Sequence, residues 1–233
     1  MKIILKDLFV TYNKKNRIFK NFNGSLDLTK LNIIIGKNGI GKTTMLDTIS
    51  GLTRIESGRI FGVPKQKDIM YVFQNVPFFT DVTVSQLLKM YTSFNTSEQK
   101  VNSLSKDFFY ENINPLLSRN LGILSGGEVR LVFDYASTLV SKKLYLFDEP
   151  LSGIDIENKK KILKLLEVLS CTAPVIVTSH DLEPFENISC TVNYISPSSF
   201  MFSGSYKELL KIGNGNIEDA FLNLTLRMKE NER

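Results

Sequence analysis

The apolar positions of the chain follow two different periods. Short unbroken runs (Ile33-Ile34-Ile35, Leu144-Tyr145-Leu146-Phe147 and Val175-Ile176-Val177) carry the β-branched and aromatic residues of strands buried on both faces. Between them, apolar residues return at helical spacing: Met45, Leu46 and Ile49 before Gly51, a run ending near Leu139, and a stretch from about Glu157 to Leu169. This alternation predicts an α/β fold with a mainly parallel sheet. Residues 1 to about 35 instead alternate Ile3-Ile4-Leu5 and Leu8-Phe9-Val10 with polar turns, which predicts an N-terminal antiparallel β subdomain. Strands are also expected after Ser57-Gly58 and over Ile69 to Phe73. From about residue 75 to 122 the texture becomes helical, with helices expected over Val84–Tyr91 and Phe108–Leu117, and this reads as an inserted α-helical subdomain. A tail runs from about 204 to 233, and the last thirty residues are expected to add no further site. The whole of 1–233 is expected to form one core domain.

Composition narrows the class. Of 233 residues, 42% are hydrophobic and 23% charged, as in ordinary globular proteins, and no apolar run approaches the ~20 residues that span a bilayer. The opening Met1-Lys2-Ile3-Ile4-Leu5-Lys6-Asp7 is charged too early for a secretory leader. Two cysteines, Cys171 and Cys190, make no disulfide framework, so a cytoplasmic location is expected. The net charge of +5 is spread along the chain and reads as solvated surface; no nucleic-acid partner is expected. The inserted segment is dense in aromatics (Phe78, Phe79, Tyr91, Phe94, Phe108, Phe109, Tyr110), which serve either a core or a partner surface.

The chemistry concentrates after the first buried run. Gly36-x-x-x-x-Gly41-Lys42-Thr43 stands between a strand and a helix, the context of a phosphate-binding loop. Glycines allow several backbone N–H groups to converge on one phosphate, and the helix start adds partial positive charge. Lys42 would reach β- and γ-phosphates, and the Thr43 hydroxyl would ligate Mg²⁺. Asp148 and Glu149 end a later buried run, the pattern of a nucleotide hydrolase in which Asp148 holds the metal and Glu149 polarises the attacking water. Tyr12 lies near the basic run Lys14-Lys15-Asn16-Arg17, where its ring either stacks on a base or simply packs. His180, the sole histidine, follows the run ending at Ser179.

Taken in order, these elements resemble the nucleotide-binding subunit of ATP-binding cassette (ABC) transporters. Gly36 to Thr44, including Asn38 and Gly39, matches the family's first phosphate motif, and Gln74 its Q-loop. Leu124-Ser125-Gly126-Gly127-Glu128 matches the signature, Leu144 to Glu149 the second phosphate motif, Leu151 to Asp155 the D-loop, and His180 the switch histidine. The resemblance implies a P-loop NTPase core, ATP and Mg²⁺ as cofactors, and Tyr12 stacked on adenine. It implies Thr43, Gln74 and Asp148 at the metal, and Glu149, His180 and Gln74 in catalysis. Two subunits, identical or different, would pack head to tail, so that Ser125, Gly126 and Gly127 of one meet the γ-phosphate held by the other. A separately encoded transmembrane permease would be the further partner, which places the chain peripherally on the inner face of the cell membrane. The tail from Gly204 to Thr225 resembles the ending of exporter subunits.

One departure touches the signature. The family usually has Gln where this chain has Glu128, but Ser125-x-x-Glu128 is also a capping box, which turns the carboxylate back onto its own helix. Two rival functions are weaker. A soluble relative acting on ribosomes or nucleic acid usually carries a second cassette or a long coiled coil, and neither is present in this sequence. A non-hydrolysing regulatory subunit would have little use for Glu149 and His180.

Overall fold

The computed structural model describes residues 2–12, 16–95 and 106–231, without side-chain detail at Tyr12, Asn16 and 227–231. The chain divides into two compact units, Met1–Gln66 with Ile176–Arg233, and Lys67–Val175.

The first unit holds two sheets. In one, β1 (Lys2–Tyr12) lies antiparallel between β2 (Asn16–Asp27) and β4 (Ser57–Phe61). The β1–β2 register shifts between Leu5 and Leu8, where Asp7 takes φ 51°. That bulge is held by side chains: the Asp7 N–H donates to Asn23 Oδ1 and Asn23 Nδ2 donates back to Asp7 Oδ1. In the other sheet β3 (Leu31–Ile35) runs parallel to both β7 (Val175–Ser179, in this unit from Ile176) and β8 (Cys190–Ile195), and β9 (Phe200–Gly204) pairs antiparallel with β8. Every residue of β3 and β7 is buried, which is why residues 33–35 and 175–177 read as apolar runs. Two buried polar residues, Asn32 of β3 and Asn193 of β8, satisfy each other, with Asn193 Nδ2 donating to Asn32 Oδ1 at 3.2 Å. Helix α1 (Lys42–Ser50) leaves the end of β3 and closes on Gly51, whose φ of 78° suits a glycine C-cap. Two helices complete the unit, α6 (Tyr206–Ile212) and α7 (Ile217–Asn231).

The second unit pairs β5 (Ile69–Val72) parallel with β6 (Leu144–Phe147) and surrounds them with helices. These are α2 (Val84–Thr92), α3 (Lys106–Asn112), α4 (Gly126–Thr138) and α5 (Ile156–Ser170). From Arg130 to Thr138 every residue of α4 is buried, so α4 is the hub on which the aromatic segment packs. Phe108 stacks on Tyr135 with ring centres 6.1 Å apart, and Phe78 meets Phe133 at 5.9 Å. The aromatics therefore divide: Phe108, Phe133 and Tyr135 serve the core, whereas Phe78 is partly exposed and Phe79 and Phe94 stand 83% and 62% exposed. The helix expected over Phe108–Leu117 is broken. It ends at Asn112 and gives way to a 3-10 turn, Asn114–Leu116. Pro115 lacks an N–H and disfavours the helical conformation of the residue before it, so the α-helical ladder stops there.

Candidate functional site

In the first unit the end of β3 delivers Gly36 to Lys42 as a tight loop. Gly39 and Gly41 take φ of 79° and 111°. Gly41 also has no room for a side chain, since a Cβ would come within 2.5 Å of Ile18 Cγ2. The Lys42 side chain, 7% exposed, folds back so that Nζ donates to the Gly36 carbonyl at 3.0 Å. A cation is thereby held against the loop. Helix α1 starts with no capping side chain and no acidic residue in its first turn, so no carboxylate of its own neutralises the positive end of the helix dipole. Thr43 is exposed, Thr44 buried, and Asn38 and Gly39 are exposed on the loop.

The same unit brings His180 to this loop. Gly36, Lys37 and His180 line a cavity of about 330 Å³, together with Tyr194 of β8 and Glu218, Phe221, Leu222 and Thr225 of α7. The tail, expected to add no further site, places four residues of α7 along this cavity. Phe221 stacks on Tyr194 at 5.5 Å, and the Tyr194 hydroxyl bonds the Thr225 hydroxyl at 3.0 Å, which seats α7 as a wall of the cavity. No local motif marks these residues, because their role arises from packing. The side chain of Tyr12 lies outside the described residues.

In the second unit Asp148 and Glu149 follow β6. Asp148 is 3% exposed, and its N–H donates to the Val72 carbonyl at 2.9 Å, extending the β5–β6 pairing by one bond. Glu149 is half-buried with φ 45°, a conformation uncommon outside glycine and often kept at functional positions. Gln74, exposed, lies just beyond β5. The start of α4 is built by its own side chains: Ser125 Oγ accepts the Glu128 N–H at 3.2 Å, and a Glu128 carboxylate oxygen accepts the Ser125 N–H at 2.8 Å. The capping box is present, and Arg119 stands 3.8 Å from the other Glu128 oxygen. The two glycines that follow differ. Among the described residues nothing lies within 4 Å of a Cβ built on Gly126, whereas one on Gly127 would meet Asp155 Oδ2 and Asn158 Nδ2, each at 2.7 Å. A side chain at Gly127 would push aside the ends of the Asp155 and Asn158 side chains. In the D-loop Asp155 caps α5 by accepting the Asn158 N–H at 3.0 Å, and those bonds hold its carboxyl below the usual range.

The candidate metal donors Thr43, Gln74 and Asp148 are hydroxyl, amide and carboxylate oxygens. Such hard donors fit Mg²⁺, which takes few protein ligands and completes its shell with water and phosphate oxygens.

Comparison with known proteins decides the family. Residues 19–152 match the family model described as ABC transporter. The chain belongs to the ABC transporter family. The molybdenum import ATP-binding protein ModC of Escherichia coli (strain K12) is 30% identical over 203 residues, covering 80% of this chain and 56% of ModC. The chain thus spans little more than half the length of the curated relatives it matches. Among solved structures, an ATP binding subunit of an ABC transporter superposes with TM-score 0.74 at 18% identity, covering 97% of this chain and all of that one. A bacterial Atm1-family ABC exporter with ATP bound gives TM-score 0.72 at 18% identity, over 95% of this chain and 41% of that one. At that identity the two structures speak for the fold alone, which is the P-loop ABC ATPase fold expected from sequence. The exporter reading of the tail gains no support from ModC, which is an import protein.

Proposed function

We propose that this chain is the ATP-binding and ATP-hydrolysing subunit of a membrane transporter, working by ATP-driven closure of two such subunits. The observation that carries the reading is the Gly36–Thr44 loop, with Lys42 held against Gly36 at the start of a helix free of acidic side chains in its first turn. A glycine-rich loop whose backbone N–H groups can face a ligand, a fixed cation and a helix start with no neutralising carboxylate together suit a polyphosphate. In this reading Lys42 neutralises the β- and γ-phosphates, while Asn38, Gly39, Gly41 and Thr44 shape the cradle. Thr43, Gln74 and Asp148 would hold Mg²⁺, which supplies neutralisation of the phosphate charge. Glu149 orients the attacking water, and His180 contacts the γ-phosphate, consistent with its place beside Gly36. Tyr12 would stack on adenine.

The open side of Gly126 supports an approach to that helix start by the γ-phosphate held on a second copy, with the Ser125 hydroxyl beside it. Gly127 contributes by letting the D-loop pack underneath. Among the described residues no helix is long and apolar enough to cross a membrane. In this reading the membrane-spanning part is a permease on another chain, and this subunit docks on it from the inner face. The exporter direction rests on the tail alone. Purified protein should hydrolyse MgATP, and Glu149→Gln should bind it without turnover. Wild-type turnover in the Glu149→Gln protein would assign the orienting of water to a group other than Glu149.

A further inference from the structure

Arg130 has no part in the reaction described above, yet its guanidinium joins three elements of the second unit. It sits in the second turn of α4 and is 8% exposed. Its Nε donates to both carboxylate oxygens of Asp134, at 3.0 and 3.1 Å. Its Nη1 donates to the carbonyl oxygens of Phe73 and Gln74, both at 3.0 Å, and Nη2 lies 3.5 Å from the Asp148 carbonyl. We propose that Arg130, anchored by Asp134, is a positioning residue that locks the main chain at Gln74 and Asp148 to the helix begun by Ser125.

Three physical points carry this. Strand β5 ends at Val72, so the Phe73 and Gln74 carbonyls have left the strand ladder and take their bonds from Arg130. Next, the ion pair is costly as a pure fold element. Asp134 is fully buried, and a well-packed apolar pair of similar volume generally serves stability at least as well as a buried salt bridge. What an apolar pair cannot supply is directional donation to carbonyls on two other segments, and a planar fork with five donors supplies it in fixed geometry. Finally, the segments it holds are those that present Gln74 and Asp148. Arg130 also lines a groove of about 300 Å³ with Gln74, Phe78, Gly126 and Phe133. A shift of α4 is therefore transmitted to the Gln74 backbone through one rigid group.

The inference rests on the ATPase reading for its catalytic consequence, and its test has a readout independent of turnover. The deciding variant is the double replacement Arg130→Met with Asp134→Leu, which keeps volume and removes both charges. Arg130→Lys, which keeps the pairing charge but loses the fork, is its conservative partner. Both are expected to fold with melting temperatures near wild type. Both should lower kcat about tenfold while KM for ATP stays within about twofold, because the Lys42 loop is unaltered. Amide hydrogen exchange over residues 73–75 should speed up about tenfold in both, with α5 unchanged. A folded double variant with wild-type kcat, or with unchanged exchange at 73–75, overturns the proposal. Should the wild-type protein hydrolyse no ATP, the ATPase reading fails while the exchange measurement still decides the positioning role. Should the double variant fail to fold, Arg130→Lys decides by the same two readouts.

Discussion

The starts of α1 and α4 are both implied to meet phosphate, but they are built in opposite ways. Helix α1 begins on Gly41 with no capping side chain and no acidic residue in its first turn, and the cation of Lys42 is folded against the preceding loop. Helix α4 begins on Ser125 with a reciprocal capping box, and Glu128 places a carboxylate in its first turn. A bare helix start keeps its dipole for a ligand, whereas a capped one has already used part of it. The difference suggests that α1 provides affinity for the nucleotide. In the proposed closure, helix α4 would add a weaker contact, worth most when a second chain delivers the γ-phosphate. Affinity and closure are then separable properties, held by different helices.

The largest expected effect breaks the α1 side. Lys42→Ala removes the charge nearest the β- and γ-phosphates and should weaken MgATP binding by roughly a hundredfold, since hydrogen bonds and contacts to a charged group are worth about 1.5–3 kcal/mol. Fluorescent-nucleotide titration reads this directly. Binding within a few-fold of wild type would show that α1 does not carry the affinity. On the α4 side, Ser125→Arg fills the space beside Gly126 and should leave one-chain ATP binding intact while abolishing closure. Sizing chromatography of Glu149→Gln with MgATP should show a dimer, and addition of Ser125→Arg should return it to monomer. A dimer that persists would take Ser125 out of the shared contact.

How much of this was visible in the sequence depends on how local each signal is. The β3–Gly36–α1 unit is contiguous, so its strand, glycines and helix could be read as one motif, and the capping box at Ser125 and Glu128 is likewise a matter of spacing within one turn. Contacts between distant segments were not legible. Nothing in Phe221 or Thr225 announces that α7 walls the cavity shared by Gly36 and His180; that follows from their seating on Tyr194. The same holds for Arg130, whose partners Phe73 and Gln74 lie far away in sequence, and for Gly127, whose missing side chain makes room for Asp155 and Asn158. The broken helix at Pro115 is a different case. Its residue was in plain view, but apolar spacing continues on either side of it and masks the break.

A smaller effect concerns the buried pair within α4. Burial pushes the Asp134 carboxyl up to about 6, with the Arg130 guanidinium opposing the rise, and the other titratable group facing it is Tyr91 of α2, whose phenol is pushed upward by burial and then by the Asp134 charge. A carboxyl raised on folding binds more protons in the folded state, so its favourable contribution is fullest below the ordinary value near 3.8 and is lost as pH climbs through about 6. Asp134→Asn removes that dependence. The melting temperature of wild type relative to Asp134→Asn should therefore fall between about pH 4.5 and 7.5 by roughly a few degrees, given the usual shift per kcal/mol for domains of this size. A difference independent of pH would show that the carboxyl keeps its ordinary value despite burial.

The smallest expected effect sharpens the comparison most, because it isolates the charge on the α4 start. Glu128→Gln keeps a side chain able to accept the Ser125 N–H, so the capping box survives in altered form. Helix stability should change by about 1 kcal/mol or less, and turnover should stay within a few-fold. Both follow from geometry: one Glu128 oxygen is bound to its own N-cap and the other faces Arg119 at 3.8 Å across a partly exposed gap, where a salt bridge contributes little. A carboxylate turned inward in this way adds a weak negative field to the helix start without standing in the path of a phosphate. If the Gln variant instead gains tenfold or more in ATP-driven dimerisation, the carboxylate opposes the γ-phosphate directly. The two helix starts would then differ by active repulsion, and the weaker grip of α4 would be a consequence of Glu128 itself.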